Sequence, residues 1–392
     1  GYSQENFSMD NFKITQYEMT MPEYEKDKDA EALVIFEKGQ NFFYYRDMEG
    51  FKLVMKYRIK IKILKQAGIE YADFEIPYYI EGNSLEEITD IEGITYNYED
   101  NKPKQTQLLT KNVFTEKASK DTYIKKFTMP DVKVGSIIEV SYTHTTPYFH
   151  RMKEWEFQKK IPVVYSTLEY RAIPFFEYTY ILKGRTKFDS FSSEVNSSKH
   201  THANVSYNEV YYNFGMKDLP VFKDEEFITS PRDYMVSMNM QLSKITSNRG
   251  VAREFLSTWP KICDLLLEQD GFGKYLKNSL KESKKILPTL NLEGKNETEQ
   301  IKIITDYVKT NYSWNSNTGK FAHTEKLSDF LKNKTGNSGN LNLFLVGLLQ
   351  GAGFDANPVA LSTRGNGMIS KDHPFESFLN YVIAHVNIDG KD

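Results

Sequence analysis

The sequence predicts an α+β protein: an N-terminal antiparallel β-sandwich followed by a shorter region that mixes helices and strands. Three observations carry this reading. Residues 51–63, FKLVMKYRIKIKI, alternate apolar and mostly cationic side chains, the period of two of a strand with one buried and one wet face. Short strand patterns then recur between Gly, Pro and Asn turn signals up to about residue 245, with few helical patterns among them. Beyond that point the apolar period becomes helical.

The 392 residues suit two domains with sizeable cores, and the 26 Tyr, 26 Phe and 3 Trp favour aromatic-rich sheets. A net charge of −3 without a long basic run gives no sign of a nucleic-acid or anionic-membrane partner. Cys263 is the single cysteine, so no intramolecular disulfide can form and a cysteine-based metal site is disfavoured. Between Trp259 and Leu265–Leu267 it reads as an inert core thiol on a helix. No metal site or cofactor is expected. No stretch reaches the ~20 apolar residues of a membrane-crossing helix. The chain begins Gly1-Tyr2-Ser3 without an initiator Met, as after removal of a signal peptide or a tag, and its last residues, Gly390-Lys391-Asp392, look like a hairpin turn.

In order, strand 51–63 is followed by a turn at Gln66-Ala67-Gly68 and a second strand, Ile69 to Ile76, stopped by Pro77. Strands are predicted at 123–128, 136–143, 164–172, 176–182, 203–207 and 209–214, with helices at 251–269, 273–286 and 297–312. A loop with Trp314 and His323 leads to a helical stretch at 325–331, and a strand is predicted over 378–388 before a hairpin signal at Asp389-Gly390.

The stretch Lys334 to Leu361 organises the second region. Gly336-Asn337-Ser338 turns into a helix whose Leu341, Phe344, Leu345, Leu348 and Leu349 share one face; Gly351-Ala352-Gly353 ends it, and a strand, Ala356 to Leu361, follows. Ser338 thus stands at the N-terminus of a buried helix, where unpaired N–H groups and the helix dipole would lower a thiol's pKa and favour an oxyanion.

This order of elements resembles the transglutaminase-like superfamily with its papain-like core. The N-terminal half resembles the sandwich domain of unknown function that often precedes such a core in bacterial envelope proteins. The matching stretches there are Arg58 to Gly68, Pro130 to Glu139, and Trp155-Glu156-Phe157-Gln158 with Pro162 and Ser166. The resemblance implies a sandwich over 1–245, a helical connector over 246–295 and a C-terminally incomplete transglutaminase-like core over 296–392. It also implies an extracytoplasmic setting and a protein, peptide or glycan partner in the envelope. In active members a cysteine at the helix N-terminus attacks an amide, a histidine on a following strand is the base, and an aspartate orients it. Ser338 falls on the cysteine position and Tyr381 on the histidine position, while the aspartate would lie beyond Asp392. Trp314, Asn337, Asn340, Arg364 and Asn380 are the residues expected to border the cleft.

A thiol with pKa near ~8.5 can become a thiolate there, whereas serine needs a base within hydrogen-bond reach and tyrosine, pKa about 10, is a neutral phenol. The leading expectation is therefore a non-catalytic binding or scaffolding unit. A serine-variant amide hydrolase or transferase is the alternative, with loop residue His323 or His373 as a substitute base. His385, four residues past Tyr381, would lie roughly 13 Å farther along a strand. Ser338 as an N-cap, Tyr381 as a packed aromatic bonded to Ser338, Asn340 and Asn342 as polar satisfiers, and Arg364's loop, 362–367, as a simple turn are the plainer readings. A carbohydrate-binding sandwich is a third possibility, requiring a row of exposed coplanar aromatics. His200-Thr201-His202 reads as exposed hairpin rather than metal ligands.

Overall fold

The computed structural model describes residues 7–10, 13–81, 84–119, 121–149, 152–223, 230–323 and 326–388. Two units make up the chain, Gly1–Ile228 with Tyr234–Glu254, and Thr229–Asp233 with Phe255–Asp392. The sequence features at Gly1-Tyr2-Ser3, Asp389-Gly390 and 390–392 lie outside the described residues.

After a short helix α1 (Gln16–Thr20), the first unit is built of strands: β1 (Ala32–Arg46), β2 (Gly50–Ile63), β3 (Asp73–Glu81), β4 (Ser84–Leu85), β5 (Glu87–Glu99), β6 (Lys102–Gln107), β7 (Phe114–Lys117) and β8 (Thr122–Thr128). There follow β9 (Ile137–Thr146), β10 (Trp155–Glu156), β11 (Val163–Ala172), β12 (Phe176–Lys183), β13 (Ser190–His202), β14 (Val205–Leu219), a helical turn α2 (Pro231–Tyr234), β15 (Ser237–Thr246) and β16 (Ala252–Glu254). Eight strands form one sheet, β13-β14-β11-β1-β2-β9-β5-β6; smaller sheets β10-β15-β12, with β16 on β15, and β4-β3-β8-β7 accompany it. The pairings are antiparallel except β1 with β11, which run parallel. The large sheet meets the β12 sheet through aromatic contacts such as Phe43–Phe176, ring centroids 4.9 Å apart.

One face of β2 behaves as the alternation predicts, with Leu53, Met55, Ile59 and Ile61 buried. The expected wet face is a correction: Lys60 is 0 % and Lys62 1 % exposed, and Arg58 is buried as well. The reason is the N-terminal segment. Phe7, Met19, Met21 and Tyr24 pack on Leu33, Ile35, Tyr96 and Ile137 of that face. Lys60 Nζ donates to the carbonyls of Ser8 (2.8 Å) and Lys13 (2.7 Å), and Lys62 Nζ to those of Met19 (2.9 Å) and Gly135 (2.7 Å). Glu18, 3.6 Å from Lys60 Nζ, also closes a capping box with Thr15. Buried ammonium groups are thus satisfied by carbonyls and a carboxylate, as burial of charge requires.

Two further elements move. Residues 66–72 form a 3₁₀ turn, so the second strand starts at Asp73 and passes through Pro77 instead of stopping there. At Pro77 the strand has only β8 beside it, pairing with β4 being confined to Ile80 and Glu81, and an open edge tolerates a missing N–H. Residues 252–254, predicted helical, pair with β15 as β16, so the first unit runs on to Glu254.

The second unit comprises α3 (Trp259–Glu268), α4 (Tyr275–Ile286), α5 (Glu297–Asn311), β17 (Ser313–Trp314), α6 (Leu327–Asn333), β18 (Thr335–Gly336), α7 (Ser338–Gly351), β19 (Asp355–Leu361) and β20 (Tyr381–Asn387). Its core centres on α7, where Leu343, Phe344, Val346 and Leu348 are all fully buried; Leu341 and Leu345 are only half-buried. The helix is therefore enclosed on more than the single face predicted. Helix α4, within the stretch read as a connector, supplies Tyr275, Leu276 and Ile286 to the same core. A Cβ on Gly347 would stand 2.4 Å from Ser279 Cβ, which shows how closely α4 and α7 approach. Strands β19 and β20 pair antiparallel, Leu361 with Tyr381 and Asp355 with Asn387. Among the described residues no helix is long and apolar enough to cross a membrane.

Candidate functional site

The site is assembled at the start of α7. Asn337, not Ser338, is the N-cap: its Oδ1 accepts from Asn340 N (2.9 Å), and Asn340 Oδ1 accepts from Asn337 N (3.2 Å). This capping box of two asparagines corrects the N-cap reading of Ser338, which becomes the first helical residue, and it gives Asn340 its structural work.

Ser338 is 3 % exposed. Its Oγ accepts from Gly319 N (2.8 Å) and donates to Gly319 O (3.0 Å), while its own N–H donates to Asn317 O (3.2 Å). Asn337 Nδ2 donates to Phe321 O at 2.9 Å. A segment, residues 315–323, is thereby strapped across the helix N-terminus. Gly339 permits the close approach, since a Cβ there would meet Phe321 O at 2.3 Å. Lys320 ties the strap onward: its Nζ donates to the carbonyls of Glu376 (2.8 Å) and Leu379 (2.6 Å) and pairs with the Glu376 carboxylate.

Trp314 reaches this region because β17 pairs in parallel with β18, Trp314 opposite Gly336; it is 54 % exposed and its Nε1 donates to Asn317 O (2.7 Å). Tyr381 is the half-buried first residue of β20. Among the described residues Ser338 Oγ bonds the Gly319 backbone, so the expected Tyr381–Ser338 hydrogen bond is replaced. Asn380 acts as a clamp, its N donating to Leu361 O (3.0 Å) and its side chain to and from Thr363 (2.8 Å each). Arg364 is exposed on a 3₁₀ turn of that loop, which Asn366 pins through Ser362 Oγ (3.0 Å) and Phe378 O (2.9 Å). The structure therefore gathers Trp314, Asn337, Ser338 and Asn340 at one helix start, and Lys320 links them to the segment leading into Asn380 and Tyr381.

His323 is exposed at the end of the strap, and its N–H faces Asn337 and Asn340 Oδ1 at 3.4 and 3.3 Å. His373 Nδ1 is taken up by Ser370 Oγ at 3.1 Å. Tyr275 and Tyr312 in the core around α7 have pKa values raised chiefly by burial, so they stay neutral phenols. With its proton and one of its two lone pairs engaged by backbone, Ser338 Oγ has among the described residues no ionisable side chain hydrogen-bonded to it.

Gly319 and Lys320 were not found from sequence: a glycine and a lysine in an Asn-rich loop carry no pattern that places them against a helix 19 residues later. An apolar groove of about 610 Å³ also went unread; Trp259, Ile262, Leu266, Val359 and Leu379 line it. Cys263 sits on it, exposed, which overturns the core-thiol expectation: α3 buries Ile262 and Leu266, one turn apart, and turns the next position outward. Among the described residues no three His, Cys, Asp or Glu side chains gather to hold a metal. His202 packs against the Tyr45 and Phe51 rings, at 4.1 and 4.7 Å.

Residues 52–206 match the Domain of Unknown Function with solved structure, DUF3857, and residues 285–391 match the Transglutaminase-like superfamily. A crystal structure of a putative protease from Parabacteroides distasonis superposes with a TM-score of 0.60 at 14 % identity, over 92 % of this chain and 66 % of that one. The chain thus spans about two thirds of that protein's length, and at this identity the likeness is one of fold. A putative nutrient binding protein from Legionella pneumophila aligns over 74 % of this chain and 83 % of its own at 9 % identity, with a TM-score of 0.24, too low to carry an argument. No curated protein matches.

Proposed function

The chain joins a DUF3857 region to a transglutaminase-like region, and from that premise we propose that it is a non-catalytic member acting as a binding or scaffolding unit in the cell envelope. The observation that carries this is the closed ring between Ser338 Oγ and the Gly319 backbone, at the position where active relatives of this fold need a free nucleophile. Serine in such a ring can neither be deprotonated by a neighbour nor approach an amide without breaking two hydrogen bonds, each net worth about 1 kcal/mol. Tyr381 at the base position and the engaged His373 agree with it. Peptide or protein segments with apolar side chains suit the groove beside α3 as the bound partner.

The test is ammonia release from glutamine-containing peptides by the starting protein, Ser338→Ala, and the double variant Ser338→Cys, Tyr381→His. No turnover by the starting protein is expected. Turnover that vanishes in Ser338→Ala would establish a serine enzyme and sink the proposal.

A second reading has one observation behind it. Phe188, Phe191 and Tyr212 form a near-parallel row, successive centroids 6.5 Å apart at 24° and 25°, with Phe191 52 % exposed. Carbohydrate stacking there would be lost in Phe191→Ala, measured by oligosaccharide titration; unchanged titration in that variant removes this reading.

A further inference from the structure

Where the two small sheets of the first unit part, a crevice of about 360 Å³ opens onto the large sheet. Its floor is Glu37 of β1, Tyr57 of β2 and Tyr142 of β9; Phe74 of β3 stands on one side and Trp155 of β10 on the other. This size falls in the range of sites for small organic ligands.

The floor is built around a charge. Glu37 is 1 % exposed, and an ionised carboxylate at that depth needs partners. Tyr57 OH donates to its Oε1 (2.6 Å) and Ser166 Oγ to its Oε2 (3.0 Å), while Trp155 Nε1 donates to Ser166 Oγ (3.1 Å). The Trp155 ring packs so closely on β1 that a Cβ on Gly39 would stand 2.5 Å from it. The Tyr57 ring lies tilted against Tyr142 and Trp155, with centroids 5.0 and 5.8 Å away. A carboxylate walled by electron-rich aromatic faces is a receptor for a positive group.

The free protein already holds positive groups there: Lys153 and Lys159 both line the crevice, and Lys159 is the one paired with the carboxylate. Lys159 Nζ is 2.9 Å from Glu37 Oε1 and 6.0 Å from the Trp155 ring centroid. Its side chain is 25 % exposed, it comes from the loop after β10, and its remaining hydrogen bond goes to the nearby Glu156 carbonyl (2.7 Å). Unlike Lys60 and Lys62, which are sealed under the N-terminal segment, Lys159 stands at the mouth and can turn outward without uncovering the core. We propose that this crevice binds a primary ammonium group on an aliphatic stem, and that Lys159 is its internal placeholder, displaced when ligand enters.

The experiment follows tryptophan fluorescence of the full chain during titration with butylammonium, with butanol as the neutral isostere and butyrate as the anion. Nα-acetyl-lysine methylamide, beside the norleucine analogue, separates a peptide side chain from a free amine as the source. Saturable binding of the ammonium compounds alone is expected, at least tenfold tighter in Lys159→Ala and lost again in Lys159→Ala, Glu37→Gln. Tyr57→Phe, which keeps the ring and removes one donor to Glu37, serves as a milder second variant and should shift affinity without abolishing the fold. Equal binding of butanol would reduce the crevice to an apolar gap and overturn the proposal. So would binding confined to Lys159→Ala, since Lys159 would then be a permanent structural occupant.

Discussion

At the scale of single residues, burial decides chemistry. Lys62 has its pKa lowered to about 8, first by desolvation, against 10.5 for an ordinary lysine. Between these values the folded chain carries fewer protons than the unfolded one, so the contribution of Lys62 to stability grows as pH rises through that window, by on the order of 3 kcal/mol in full. Denaturant unfolding at about pH 7.5 and about pH 9.5 should show that rise in the starting protein and a smaller one in Lys62→Met. Gly39 makes a second case. Its substitution by Ala drives a methyl into the Trp155 ring and should cost about 1–3 kcal/mol, read from the denaturation midpoint. For Cys263, exposed on the groove wall, a thiol reagent should label the native protein at the rate of an open thiol. Labelling seen only after unfolding would contradict the placement of α3.

At the scale of elements, α7 is held by its neighbours more than by its own propensity. Gly347 and Gly351 admit α4, whose Ser279 and Ser283 occupy the space a side chain would take. Gly347→Ala should improve intrinsic helix propensity by nearly ~1 kcal/mol and yet destabilise the unit, because the clash is with Cβ and backbone atoms of a packed helix. A rise in thermal midpoint would show that the two helices can move apart freely. The legibility of these elements followed the same division. Period two in 51–63 located β2 to within a residue, and the apolar run after Ser338 located α7, since each element's period is local. Which face of β2 is wet was not legible: Lys60 and Lys62 look solvent-seeking until Ser8, Lys13 and Met19, some 40 to 50 positions away, offer carbonyls to them. Cys263 was misplaced for a related reason, as flanking leucines on both helix faces leave the rotation of α3 undetermined until it packs.

At the scale of the whole molecule, the two units have separate cores, one where the N-terminal segment covers the large sheet and one around α7. Calorimetry should resolve two transitions, and Gly347→Ala should move only one of them. A single concerted transition shifted as a whole would mean the cores are thermodynamically one. Legible without the structure are the succession of a strand-rich half and a half that mixes helices and strands, and the places of Ser338 at a helix start and Tyr381 on a strand, because local periods suffice for these. Tertiary structure alone decided what those positions touch. The strap through Gly319 and Lys320, and the Lys159 ammonium over Trp155 and Glu37, are contacts between residues that no local pattern relates, created when burial forces each polar group to find a partner.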